Sequence, residues 1–406
     1  MQTSIADFIK DTPQGQEADA ILRSCVHCGF CLATCPTYQL LGDELDSPRG
    51  RIYLIKQVLE GQQPSAKTQL HLDRCLTCRA CETTCPSGVQ YGRLLDIGRE
   101  LVEKKVARPL TEQVKRWFIR TLIPYPARYT AVLRVGQMLR SFLPRTFQRR
   151  IPLNEKKQPW PIAQHARTML ILEGCAQSAI SPNINAAAAQ ILDKLGITLK
   201  RAASAGCCGA LSHHLTVPEE ALQFARQNIN AWWPHIEAGA ETIVMTASGC
   251  GVFVQEYGEL LRDDPDYAEK AAHIAKITKD VSEVLSNEDI SRLALKDVQQ
   301  PKIAFHSPCT LQHGQKLNGV TEKLLTQLGF TLTDVPDAHL CCGSAGSYSL
   351  LQQELSQRLL KQKLEALQSG APAVIATANI GCLMHLQSQA DVPVRHWIEL
   401  LAEQSI

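Results

Sequence analysis

The sequence predicts a small α-helical, cysteine-dense domain followed by two copies of an α/β module. Three observations carry this. Two blocks, "CVHCGFCLATCP" (25–36) and "CLTCRACETTCP" (75–86), repeat one spacing. Eight further cysteines fall between 175 and 382, and the stretch 101–165 contains none. Within that second group Cys175, Cys207 and Cys208 return 134 residues later as Cys309, Cys341 and Cys342, while Cys250 returns 132 residues later as Cys382.

The N-terminal domain is assigned to 1–100. Between its cysteine blocks, "DSPRGRIYLIKQVLEG" predicts a helix capped by Ser47 before Pro48 and stopped at Gly61. Ile52, Ile55, Val58 and Leu59 fall on one face, suited to cover a buried site from water. Residues 101–165 form a linker. Its first fifty residues hold twelve Lys/Arg against two acids, Glu103 and Glu112. "LTEQVKRWFIRTLIP" and "YTAVLRVGQMLRSFLP" predict short helices closed by Pro124 and Pro144.

The modules are assigned to 166–290 and 301–406. "TMLILEGC" and "KIAFHSPC" are short apolar runs ending at a cysteine, and "TIVMTA" and "AVIATA" are strand-like before a Gly-Cys. "NINAAAAQILDKLG" and "TEKLLTQLG" are helical patterns with glycine at the stop. "LGITL" returns as "LGFTL", and "KDVSEVL" is matched by "RHWIELL". Strands alternating with helices predict parallel sheets, whose ligands sit beyond the carboxyl ends of the strands. The cysteines lie there, so one shared thiol site per module is expected.

Composition bounds the chemistry. The chain of 406 residues has 42 basic and 40 acidic side chains and sixteen cysteines. It lacks a secretory leader pattern and any apolar run of the roughly 18 to 20 residues needed to span a membrane. An intracellular, soluble or peripheral protein is expected, in which dense cysteines are metal ligands before they are disulfides.

Each N-terminal block reads Cys-x2-Cys-x2-Cys-x3-Cys-Pro, the bacterial ferredoxin spacing, in which the fourth cysteine serves the other cluster. Cys25, Cys28, Cys31 and Cys85 are expected to bind one [4Fe–4S] cluster, and Cys75, Cys78, Cys81 and Cys35 the second. Zinc has no use for a third cysteine in such a loop. His27, inside the first loop, is a candidate for tuning the potential, against the plainer reading of an exposed polar residue.

Cys175, Cys207, Cys208 and Cys250, and Cys309, Cys341, Cys342 and Cys382, offer four thiols per module for a further cluster, for thiol–disulfide chemistry or for zinc. Among the nearby His213, His214, His306, His313 and His385, His306 and His313 rank first because they flank Cys309. No Gly-x-Gly-x-x-Gly, P-loop or Gly-x-Ser-x-Gly is present, "GSAGSY" having the wrong spacing. No residue is assigned a catalytic role. The chain can pass single electrons but lacks a two-electron cofactor of its own, which implies a flavoprotein donor and a separate acceptor.

Two ferredoxin motifs, a basic linker and two Cys-Cys-Gly modules resemble the glycolate oxidase iron–sulfur subunit family. The resemblance includes "CPTYQLLGDELDSPRGRIYLIKQVLEG", "HLDRCLTCRACETTCPSGVQYGRLLDIGRE", "LEGCAQ", "TASGCG", "LCCGSAG" and "TANIGC". The architecture alone is shared with the small subunit of anaerobic glycerol-3-phosphate dehydrogenase and with heterodisulfide-reductase-like proteins. The resemblance implies flavin-containing partners that oxidise glycolate to glyoxylate, with flavin on those partners only. It implies two [4Fe–4S] clusters on the eight N-terminal cysteines and a quinone or other membrane acceptor. The expected location is the cytoplasmic face of the inner membrane, peripherally held. Heterodisulfide-reductase modules end in Cys-x-x-Cys, whereas "SGCG" and "IGCLMH" carry one cysteine each, which argues against five-cysteine clusters here. The other readings are the subunit of a glycerol-3-phosphate or lactate dehydrogenase, a thiol–disulfide reductase, and an iron–sulfur sensor. Trp117, Phe118, Tyr125, Tyr129 and Phe142 among the arginines of the linker suit an anionic lipid surface or an acidic partner subunit. Without a reader motif, no nucleic-acid partner is expected.

Overall fold

A computed structural model describes residues 1–142, 144, 148, 151–153, 156–296 and 301–405. Two compact units are present: Met1–Trp117 with His214–Thr216 and His339–Lys363, and Phe118–His213 with Val217–Ala338 and Leu364–Ile406.

The first unit is helical. Its N-terminal helices are α1 (Pro13–Ser24), α2 (Pro36–Leu41), α3 (Pro48–Leu59), α4 (Ala66–Asp73), α5 (Ala80–Thr83) and α6 (Tyr91–Lys105). Each start has a local cause. Thr12 and Ser47 cap α1 and α3 by accepting from Gly15 and Gly50, and proline follows each cap. Gly61, at φ +94°, turns the chain away after α3. Ile52, Ile55, Val58 and Leu59 are buried, as the periodicity predicts, in one core with Leu22, Leu72, Leu94 and Leu95. Each such side chain contributes roughly 1.5–3 kcal/mol by leaving water. α6 crosses α3 at Gly98, where a Cβ would stand 2.5 Å from Ile55 Cγ1.

The predicted linker helices form as α7 (Leu110–Leu122) and α8 (Pro126–Leu139). α8 begins at Pro126, ahead of the expected start, because proline suits a first turn. The later basic residues Arg145, Arg149 and Arg150 lie outside the described residues.

The second unit carries two parallel sheets. One orders β1 (Arg167–Ile171), β2 (Ile197–Arg201), β3 (Ile243–Met245) and β4 (Thr278–Asp280) as β2-β1-β3-β4. The other orders β5 (Ile303–His306), β6 (Val374–Thr377) and β7 (Val394–His396) in sequence. The repeat is imperfect at one edge. "LGITL" forms β2 with five paired residues, but "LGFTL" makes only an isolated bridge, Leu332 to Ile303. Pro336 follows closely and cannot donate to a ladder. The matched endings do correspond: Asp280 caps the helix Val281–Ser286, and His396 caps Trp397–Gln404.

Candidate metal centres

In both N-terminal loops the second and fourth residues after the first cysteine are left-handed: His27 and Gly29 at +56° and +88°, Thr77 and Arg79 at +55° and +61°. For a β-branched residue such as Thr77 this conformation is strained. It turns backbone N–H groups inward. His27 N–H donates to Cys25, and Thr77 N–H reaches Cys75 Sγ at 3.4 Å.

Two recesses result. The first, about 440 Å³, is lined by Cys25, Cys28, Cys31 and Cys85 with Cys81. The second, about 290 Å³, is lined by Cys35, Cys75, Cys78 and Cys81. Each thus collects three cysteines of one block and the last of the other. Pro48, Cys81 and Tyr91 line both, so the recesses share a wall. Burial pushes the Cys25 thiol up, the Cys31 thiol up to about 11, and the Cys81 thiol well above its ordinary range. Thiolates gathered here need a soft cation, and sets of four thiolates from such loops suit iron–sulfur clusters. His27 Nε2, in the wall of the first recess, is buried and finds no hydrogen-bond partner among the described residues. His27 is half-buried, so the plain reading of an exposed residue does not hold.

The surroundings of the second recess escaped the sequence reading. Arg51 lines it and is fully withdrawn from solvent. Its Nε donates to the His71 carbonyl at 2.7 Å, and its Nη atoms reach Thr37 Oγ1 at 3.1 and 3.2 Å and Asp46 Oδ1 at 3.2 Å. Arg74 Nη1 reaches Asp46 Oδ2 at 2.9 Å. The buried Tyr91 hydroxyl lies 3.5 Å from Cys75 Sγ, and Thr37 Oγ1 lies 3.3 Å from Cys35 Sγ. Arg99 ties the loop down through Thr77 Oγ1 and the carbonyls of Leu72 and Cys75. Tyr348, buried near Arg51 and Cys75, has a hydroxyl without a hydrogen-bond partner among the described residues. A signal was present: Arg51 stands four and seven residues before Ile55 and Val58, on the apolar face of α3.

In the first module four cysteines converge. Cys175 and Cys207 are hydrogen-bonded, as are Cys207 and Cys208, and Cys208 and Cys250. Bonds to Cys175 and Cys208 push Cys207 up, and the bond to Cys208 pushes Cys250 up. Cys208, which accepts from Cys207 and Cys250, is held well down. Asn228 Oδ1 accepts from Gly206 N–H at 2.8 Å while its Nδ2 donates to the Cys207 carbonyl at 2.8 Å. Tyr257 closes the brace, its hydroxyl donating to the Cys208 carbonyl at 2.6 Å. Gly209 is irreplaceable: at φ +95° its N–H reaches Cys207 Sγ, and a Cβ would meet the Ala221 carbonyl oxygen at 2.8 Å. Gly343 repeats this, with its N–H 3.4 Å from Cys341 Sγ and a Cβ position 2.7 Å from the Ser356 carbonyl oxygen.

Cys341 and Cys342 fall in the first unit, Cys309 and Cys382 in the second, and all four are buried. His306 ends β5 and His313 lies in the short helix after Cys309, both buried. Part of the linker's charge is paired within the chain. Arg108 pairs with Asp73, Glu103 and Glu112, Arg116 with Asp73 and Glu112, and Arg120 with Glu220. Tyr125 packs on Phe224 with ring centres 5.9 Å apart, beside Cys175 and Cys207, whereas Trp117, Phe118 and Phe142 are exposed.

Known proteins share this layout. A family model described as a 4Fe-4S dicluster domain matches residues 21–89, and one described as a cysteine-rich domain matches 169–255 and 303–387. The glycolate oxidase iron-sulfur subunit of Escherichia coli (strain K12) is 57% identical over 404 residues, covering 99% of both chains. The probable glycolate oxidase iron-sulfur subunit of Bacillus subtilis (strain 168) is 32% identical, covering 90% of this chain and 88% of that one. Lactate utilization protein A of the same strain is 26% identical over 56% of this chain and 95% of its own. Identity at this level along the whole chain leaves one placement: the protein belongs to the family of glycolate oxidase iron–sulfur subunits.

Proposed function

We propose that the chain is the electron-transferring subunit of a glycolate-oxidising complex, taking electrons from a flavin-bearing partner and passing them to a quinone-type membrane acceptor. The observation that carries this is the pair of cysteine recesses with a common wall, in a chain alike from end to end to the E. coli subunit. Cys25, Cys28, Cys31 and Cys85 would hold one [4Fe–4S] cluster, and Cys35, Cys75, Cys78 and Cys81 the other. Bound there, the clusters supply one-electron chemistry. The protein's own contribution is to exclude water with α3 and α6, to aim the His27 and Thr77 N–H groups at sulfur, and to keep the two sites adjacent.

The Cys175, Cys207, Cys208 and Cys250 tetrad offers ligands for a further cluster, and its interlinked thiols favour that use over a packing role. No helix among the described residues is long and apolar enough to cross a membrane, so contact with a membrane acceptor would be peripheral.

Anaerobic purification with iron and sulfide counting tests the proposal. About eight irons per chain fill the two N-terminal sites, and about twelve add the tetrad. The isolated chain should not oxidise glycolate, and activity should return on adding the flavin subunits. An iron-free chain that restores full activity to those subunits would overturn the reading.

A further inference from the structure

The two recesses differ in what they present to an added electron. Arg51 and Arg79 both line the second; Arg51 is the buried one, its side chain 1% exposed, whereas Arg79 is half-buried. An arginine stays protonated under all working conditions, so this charge is permanent. Asp46 offsets it only in part, because the same carboxylate also serves Arg74, 2.9 Å away. Asp46 thus faces two guanidinium charges; the neighbouring Asp43 carboxylate, within 4.8 Å of it, is exposed, and water screens its charge. Tyr91 adds a hydroxyl 3.5 Å from Cys75 Sγ, and such hydrogen bonds strengthen as charge accumulates on sulfur.

The first recess shares the Tyr91 ring but not its hydroxyl contact, which goes to Cys75, and no buried arginine lines it; the Met1 ammonium, 3.0 Å from the Cys25 carbonyl oxygen, is only partly buried. Val26, Phe30, Ile52 and Val89 line it, and its one arginine, Arg49, is bonded to Glu44 at 2.8 Å with side-chain exposures of 32% and 45%. Water screens that pair. Cys28 is itself exposed. Burial alone disfavours added negative charge, which would set the second site lower in potential. A fixed cation in the same dry surroundings acts in the opposite sense with little screening, and its reach is correspondingly greater.

We infer that Arg51, seconded by the Tyr91 hydroxyl, sets the potential of the group held by Cys35, Cys75, Cys78 and Cys81 and makes that site the more positive of the two. The inference rests on the two-cluster reading above. Arg51 is then a positioning residue for the electron: it fixes where the electron rests within the chain.

The test is an anaerobic redox titration of the whole chain, followed by electron paramagnetic resonance. Two N-terminal reduction waves are expected. Arg51→Gln should move the more positive wave to lower potential and leave the other in place, and Arg51→Lys, which keeps the charge, should restore most of the shift. Tyr91→Phe removes only a hydroxyl and should produce a smaller shift of the same wave in the same direction. Arg49→Gln should leave that wave unmoved. Should Arg51→Gln fail to fold or to retain iron, Arg51→Lys and Tyr91→Phe decide. The inference is overturned when Arg51→Gln or Tyr91→Phe leaves the more positive wave where it was, or moves only the other. A chain without iron or reduction waves would instead count against the two-cluster reading.

Discussion

Arg51 Nη2 sits 3.2 Å from Asp46 Oδ1, and neither side chain is more than 1% exposed. Asp46 also receives Arg74 Nη1 at 2.9 Å and faces His71 Nδ1 at 3.1 Å, so one carboxylate ties α3 and α4 to the loop before Ser47. Removing it leaves a buried guanidinium without its counter-charge. Asp46→Ala is therefore expected to destabilise the first unit by about 3–5 kcal/mol. Denaturant unfolding of the iron-loaded chain measures this, and a loss below about 1 kcal/mol, the value typical of exposed pairs, would contradict it.

The crossing of α3 and α6 makes a second prediction. Gly98 brings the helix backbones together over Ile55, which is fully buried and has nowhere to move. Gly98→Ala should cost about 1–3 kcal/mol by overpacking, even though alanine is the better helix former. A gain in unfolding temperature would mean that α6 shifts freely.

What the sequence disclosed, and what it hid, follows from the range of the interactions. The cysteine spacings and the capped α3 are local patterns, and both were legible. So was the repeat, since Cys175, Cys207 and Cys208 recur at constant offset. Arg51 was overlooked because its partners, Thr37, Asp46 and the His71 carbonyl, are spread along the sequence from 37 to 71. Asn228 and Tyr257, which brace Cys207 and Cys208, are likewise brought in from distant helices. Counting charges missed part of the linker's pairing for the same reason: the acids beside Arg116 and Arg120 include Asp73 and Glu220, outside the stretch counted.

His396 predicts a pH dependence. It is fully buried with Nε2 2.8 Å from the Thr246 carbonyl oxygen, and burial pushes its pKa down to about 4. The unfolded chain takes up this proton near pH 6.5 while the folded chain resists until about 4, so stability falls as pH drops through that window. The contribution lost is roughly 3 kcal/mol at most. Asp280, pushed up to about 6 by burial, acts in the opposite sense over much of the same range. The readout is therefore the difference between the wild type and His396→Gln. That difference should shrink from pH 7 to pH 4, and a constant difference would rule the effect out.

One face of α7 exposes Leu110, Val114, Trp117 and Phe118 at 77%, 61%, 58% and 54%. Their spacing places them along one stripe. On vesicles carrying anionic lipid, Trp117 emission should shift to the blue, and the shift should vanish in Trp117→Phe, which controls for the other tryptophans. Neutral vesicles should give a weaker response. Unchanged emission on both would remove α7 as a lipid contact.

The sharing of cysteines between blocks gives the last prediction. Cys85 lines the recess of Cys25, Cys28 and Cys31, and Cys35 lines that of Cys75, Cys78 and Cys81. Each block's fourth cysteine thus lines the recess of the other block's first three, as the proposed ligand sets require. Cys35→Ser should lower the iron content by about four per chain and abolish the reduction wave that responds to Arg51→Gln. Cys85→Ser should lower iron equally but spare that wave. Were each block to serve its own site, the two variants would exchange their effects: Cys85→Ser would remove the Arg51-sensitive wave and Cys35→Ser would keep it. The exchange cannot be mimicked by general destabilisation, which would weaken both waves together in both variants.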